Sequence, residues 1–288
     1  MYIRTIFTYG AALALLASCQ SNTPQSVALT KAYSYDITDN CYYTSECYSV
    51  VVGSKQIDTA KLAPAHARWT QKALRDGKWQ ISPGSFDEKL TQLPGGNWQH
   101  VQTILVAGKA RKMETRVFDK DTLQVLNLTM EFANPAQGTP QQVFYDLTQD
   151  DFAANITMPD GTQAKGKPRS KSLPMFDGQV AGLTIATLPL SEGYTATMPM
   201  IIPNLGIYWI EAKVAGQHTL TLENGEDIEV WDVTANWLNL TDGDVYEPGP
   251  DADGGVYYMA VNPGDGVPTV IEYANSGARI TWDGVRRQ

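Results

Sequence analysis

The residues in this chain with the chemistry for catalysis are few and poorly spaced for it. Three histidines, His66, His100 and His218, are available as general bases, and a nucleophilic triad needs one beside a serine or cysteine and an orienting acid. None stands in such a setting: there is no G-x-S-x-G elbow, no H-E-x-x-H pair and no phosphate-cradling glycine loop. Carboxylates are more plentiful. Glu223, Glu226, Asp227, Glu229 and Asp232 gather round Asn224-Gly225, and a glycosidase needs only two acids at the right separation. A hairpin tip collecting solvated charge explains them more simply. Asp242, Asp244, Glu247, Asp251 and Asp253 alternate with glycines in a way that suits calcium. The EF-hand order fails, however, because its fifth position would be Tyr246 and its sixth Glu247, with Pro248 and Pro250 interleaved. No catalysis, metal or cofactor is expected.

The cysteines say more. Residues 1–18 carry one basic residue, Arg4, then an uncharged run from Thr5 to Ser18 that ends in small side chains. That is the layout of a secretory signal, and it is too short for the roughly 20 apolar residues of a membrane-spanning helix. Leu16-Ala17-Ser18-Cys19 resembles the lipobox of bacterial lipoproteins. The resemblance implies cleavage before Cys19 and acyl chains on that cysteine, which anchor durably where one chain would be marginal. Gln20 and Ser21 stand where enterobacterial lipoproteins retained at the inner membrane have aspartate. By the same resemblance the address is the outer membrane, facing the periplasm.

Three cysteines are an awkward number for an exported protein. If Cys19 carries lipid, Cys41 and Cys47 remain as a pair in a compartment that permits their oxidation. Six residues of extended strand span ~20 Å, whereas a disulfide needs Cα atoms ~4.4–6.8 Å apart, so the chain must turn between them. Thr44-Ser45 is the place for that turn, and loop entropy gives such a bridge roughly 2–3 kcal/mol. A zinc site would lack ligands nearby, and a redox pair would show the closer C-x-x-C spacing.

Without Arg4, the 22 basic residues become 21 against 31 acidic ones, a formal net charge of −10 for the processed chain. Such a chain is a poor partner for nucleic acid or for broad adhesion to anionic lipid. The cluster Lys167, Arg169 and Lys171 is one local exception, read as a solvated loop. About 270 processed residues can bury a large core. No second apolar span follows, so the body is expected to be soluble.

These residues must be positioned by strands. Residues 19–32 read as a lipidated tether, 33–96 as a region of strand and helix holding the disulfide, and 97–288 as an antiparallel β domain. Pro64, the Trp69, Ala73 and Leu74 side, and Asp76-Gly77 predict a helix. Strands are predicted at 101–107, 110–119, 122–133, 142–148 and 152–158. After a short helix from Phe176 to Leu188 they resume at 194–200, 206–214, 218–223, 226–237, 255–261, 269–274 and 279–282. Ala215-Gly216, Asn224-Gly225 and Asn275-Ser276-Gly277 supply turns. Apolar side chains on both faces of 122–133 predict that this strand is covered on both sides. The fold expected is mainly β, a curved antiparallel sheet arranged as a half-barrel-like meander with one or two short helices.

From about Asn97 onward the order of features resembles a group of uncharacterised bacterial envelope proteins with a half-barrel like that of the lipoprotein carrier LolA. It rests on Leu188-Pro189-Leu190 and Gly193, the hairpin including Gly225 to Trp237, and the pair Val256-Tyr257-Tyr258-Met259 and Val270-Ile271-Glu272-Tyr273 before Gly277. The resemblance implies an apolar concavity under a lid. A non-catalytic lipoprotein would there bind an apolar ligand or lipidated partner against Leu126, Leu128, Ile185 and Trp209, in a lipid-sized pocket. The second reading is a structural or assembly lipoprotein that meets other envelope proteins and whose core is filled.

Two outcomes are expected from the cysteines alone. Cys19→Ser yields an unprocessed or soluble product, and its continued partition into membranes and detergent micelles would remove the lipoprotein reading. Cys41 and Cys47 are bonded to each other in protein recovered from the envelope, which non-reducing mass spectrometry checks. Free thiols at both would refute the bond.

Overall fold

The computed structural model describes residues 48–171, 173–203, 206–239 and 254–287. Cys19, Cys41, Cys47, the tether and the acidic run Asp242 to Asp253 lie outside them.

Where the sequence predicts a helix after Pro64, the chain forms strand β1 (Ala65–Arg75). Its buried residues Ala67, Trp69 and Gln71 alternate with Arg68 and Thr70, which is the two-residue period of a strand. Asp76-Gly77 ends it as a hairpin rather than as a helix stop. Both residues have positive φ, 50° and 70°, as a two-residue type I′ turn requires. β1 returns directly into β2 (Lys78–Gln92) and pairs on its other side with the last strand. Two ladders thus override a helical spacing that rested on three apolar residues. The breaker Pro83-Gly84 conceals β2 in the sequence. It falls at a register shift, where Gln71 alone faces the stretch between Ile81 and Ser85, one of the few places a strand tolerates proline.

The chain continues through β3 (Trp98–Val106), β4 (Lys109–Phe118), β5 (Val125–Phe132), β6 (Gln142–Asp146), β7 (Asp151–Phe152), β8 (Asn155–Thr157), β9 (Gln163–Lys165) and β10 (Arg169–Ser170). After β11 (Phe176–Asp177) and helix α1 (Ala181–Ala186) come β12 (Thr195–Ile202), β13 (Gly206–Thr221), β14 (Asp227–Asn239), β15 (Gly255–Ala260), β16 (Val270–Ala274) and β17 (Ala278–Trp282). Among the described residues fifteen strands form one sheet in the order β11 to β17, then β1 to β6, then β8 and β9, while β7 and β10 pair separately. All neighbours in the large sheet are antiparallel except β11 and β12. Ala215-Gly216 proves not to be a turn. It is a bulge within the single strand β13, between Val214 and Gly216, and it lets one strand replace the two expected.

The sheet is mainly β, curved and open. Arg116 of β4 reaches Asp177 of β11 at 2.9 Å, although ten strand spacings separate them in the sheet order. With strands ~4.8 Å apart, such positions would lie tens of ångströms from each other in a flat sheet. The sheet must curl, and extra residues in β2, β4, β5, β13 and β16 at their register shifts supply local bend and twist. Among the described residues it does not close, because β11 and β9 remain at the two ends of the order.

The segment after β11 lies inside the curve. A 3-10 turn, Gly178–Val180, leads into α1, whose six residues are all buried. The helix expected from Phe176 to Leu188 is therefore cut to Ala181–Ala186, its first two residues forming β11 instead. Its two glycines make the packing feasible. A Cβ on Gly182 would lie 2.8 Å from Val270 Cγ2, and one on Gly178 would lie 3.0 Å from Ile202 Cγ1.

Candidate functional site

On β4 the polarity of the faces is inverted. Lys112, Glu114 and Arg116 are buried, whereas Met113 is exposed and Thr115 and Val117 only half-buried. The register places these charges in rows across the inner face. Leu90, His100, Arg116 and Leu128 stand opposite one another on four successive strands, and beside them Glu88, Gln102, Glu114 and Met130. Arg116 is answered from its own strand by Glu114 and from the β11 segment by Asp177 and Gln179. Its Nε donates to Asp177 Oδ2 at 2.9 Å and its Nη2 to Gln179 Oε1 at 2.7 Å, with a further bond to Glu114. Glu114 also pairs with Lys112. On the neighbouring strands His100, with no exposure, meets Glu88 at 2.6 Å.

Burial acts against every charge here, and the partners decide which side wins. For Glu114, burial pushes the pKa up, but the Arg116 and Lys112 charges and hydrogen bonds hold it at about 2. Asp177 goes the other way. Burial raises it, the neighbouring Glu114 adds to the rise, and Arg116 with the Gln179 backbone N–H only partly offsets them. The Arg116 guanidinium, desolvated but held by Glu114 and Asp177, is raised.

Next to this cluster a cleft of about 100 Å³ separates the start of α1 from the sheet. Its apolar walls include Phe86, Leu183, Tyr257, Val270, Tyr273 and Ile280, and its polar walls Glu88, Gln102 and Gln179. Two donors in its lining, Trp69 Nε1 and Gln179 Nε2, are buried and find no acceptor among the described residues. A second cleft of about 340 Å³ flanks the other end of α1. It is bordered by Lys61, Leu188, Trp231, Asn262 and Thr269.

The four residues singled out for a ligand pocket are not brought together around either cleft. Leu128, Ile185 and Trp209 belong to the main core at 0%, 0% and 7% exposure, and Leu126 is half-buried on β5. His66 pairs with Asp87, which also holds Arg68, and His218 pairs with Asp232 at 2.9 Å. The carboxylates round Asn224-Gly225 are spread over separate partners: Glu223 meets Lys72, Glu226 meets Arg286, and Asp227 meets the Thr221 hydroxyl. Arg116, Glu114 and Asp177 escaped the sequence reading. Alternating charge on β4 is visible, but ordinary strands put such a face in water.

No known family matches the chain, and no curated protein matches it. Among solved structures it is similar to a β-barrel-like protein of a domain of unknown function, DUF1849, from Brucella abortus. That likeness has a TM-score of 0.45 and 10% identity, covering 78% of this chain and 97% of that one. It is also similar to the hypothetical lipoprotein YmcC from Escherichia coli K12, with a TM-score of 0.27 and 8% identity over 76% of this chain and 87% of that one.

The charge cluster sets an acid dependence. Glu114 is depressed in the folded state, so its contribution is complete above its unfolded value of 4.5 and is lost as pH falls towards 2. That shift corresponds to on the order of 3 kcal/mol. Asp177, raised in the folded state, works in the opposite sense and recovers part of the loss as it protonates. Urea unfolding should therefore show stability falling between pH 4.5 and 2.5 in the wild type and a flatter limb in Glu114→Gln. Parallel limbs would acquit Glu114. Arg116→Met should cost ~3–5 kcal/mol at pH 7, because it leaves buried carboxylates without their partner.

Proposed function

We propose that this protein is a non-catalytic lipoprotein of the bacterial outer membrane, facing the periplasm, that holds a short apolar group bearing a neutral hydrogen-bond acceptor. The observation carrying this reading is the pair of unanswered donors, Trp69 Nε1 and Gln179 Nε2, in the lining of an otherwise largely apolar cleft. A buried donor without a partner costs roughly 1–3 kcal/mol, which a ligand carbonyl would recover. The acceptor is neutral because the Glu88 carboxylate shares the lining and an anion there would meet it.

Size limits the ligand. About 100 Å³ is well below the ~300–1,000 Å³ of drug-sized pockets. The cleft suits one ring or the end of an acyl chain with its ester or amide, and the rest would extend into solvent. The wider cleft at the far end of α1 reaches the lower part of that range, but Lys61, Asn262 and Thr269 border it.

The alternative is a structural or assembly lipoprotein that works through contacts with envelope proteins. It is favoured by the dense burial of Leu128, Ile185 and Trp209, which leaves no whole-lipid cavity at those positions. Native mass spectrometry of protein extracted from membranes separates the two readings. The binding reading expects a discrete apolar adduct, and Trp69→Phe should lower its occupancy about fivefold by removing one donor. A protein that carries no adduct in either form is the assembly lipoprotein.

A further inference from the structure

The β1–β2 hairpin outruns its neighbours. β17 stays paired with β1 only as far as Ala73, and β3 with β2 only from Gly84. The tip between them therefore projects from the sheet, held on one flank by the Leu74 N–H to Gly277 and on the other by the Ala107 N–H to Pro83. On this tip Leu74 stands directly opposite Trp79, and Lys72 opposite Ile81. Residues paired across a ladder, or two apart along one strand, share a face. Leu74, Trp79 and Ile81 thus form one apolar face, exposed at 40%, 42% and 79%. No core demands these side chains.

Charge identifies what covers them. Arg75 and Lys78 flank the Asp76-Gly77 turn, and the adjacent β3–β4 hairpin adds Val106, Lys109 and Arg111 at its own end. All are exposed, and none of these four basic residues makes an ion pair among the described residues. In a chain of net charge −9, the two hairpin ends are a cationic rim round an apolar face. Tryptophan with flanking lysine and arginine is the composition that settles at the boundary between lipid headgroups and acyl chains. We infer that the β1–β2 hairpin tip is a membrane-contact arm that seats Trp79 and Ile81 in an anionic lipid surface. This inference is independent of the cleft and of any acyl chain on Cys19.

The test uses the chain from residue 19 with Cys19→Ser, which keeps every described residue and lacks the acylation site. It should float with vesicles of phosphatidylethanolamine and phosphatidylglycerol, three to one, and far less with phosphatidylcholine alone. Trp79→Ser with Ile81→Ser should lower flotation by about tenfold or more, since it removes the apolar area that inserts. Lys78→Glu with Lys109→Glu, or high salt, should weaken it as well. Both pairs are exposed, so the urea midpoint should hold. Absence of flotation with the anionic vesicles, or flotation indifferent to both double variants, overturns the inference. So does sedimentation showing a dimer that depends on Trp79 without vesicle binding, because the occupant would then be a second copy.

Discussion

Arg116 carries a full charge with no access to water, so its guanidinium must be answered within the fold. The chain answers it from two places more than sixty residues apart: Glu114 on the same strand, and Asp177 with Gln179 on the segment crossing the inside of the sheet. Removing such a charge from water costs several kcal/mol even after relaxation, and only good geometry repays it. The cluster is therefore less a source of stability than a specification of position. A segment placed elsewhere would strand Arg116, and that penalty ties the segment to the β4 side of the curve.

Close packing then depends on that placement. With Asp177 fixed, the 3-10 turn and α1 follow at once, and Gly178 and Gly182 let their backbone approach β12 and β16. Six buried helical residues occupy the middle of the concavity and knit Leu183 and Ile185 into the core that spans the sheet. What remains on either side is two clefts instead of one open trough. A helix apolar on all sides is stable only in such a place. Among the described residues the end strands are short, β11 with two residues and β9 with three, and Val50 bonds to Thr197 on the part of β12 that β11 leaves uncovered.

Acid sensitivity and the polarity of the adjoining cleft share one origin. Glu114 and Asp177 bracket the same guanidinium, yet their affinities for protons move apart because Glu114 has two cations beside it and Asp177 one. The same carboxylates, with Glu88, set the electrostatic character of the space next to them. Trp69 Nε1 and Gln179 Nε2 line that space and face no acceptor among the described residues.

Much of the architecture was legible as local pattern. Strands after Asn97 declare themselves by closely spaced turns and apolar alternation, and the mainly β, curved sheet follows from their number. β1 and β2 were hidden because a three-residue helical spacing and an internal Pro83-Gly84 pointed the wrong way. Only the ladders to β17 and β3 decided otherwise, and a ladder is a long-range pairing that no window of sequence contains. The Leu16 to Cys19 motif and the three-cysteine count stand on sequence alone, since local chemistry is all they require. Which face of β4 turned inward was left to the tertiary structure. Alternating charged and apolar residues fix the period of a strand but not its inner side. Burying Lys112, Glu114 and Arg116 became tolerable only once Asp177, far along the chain, was folded against them.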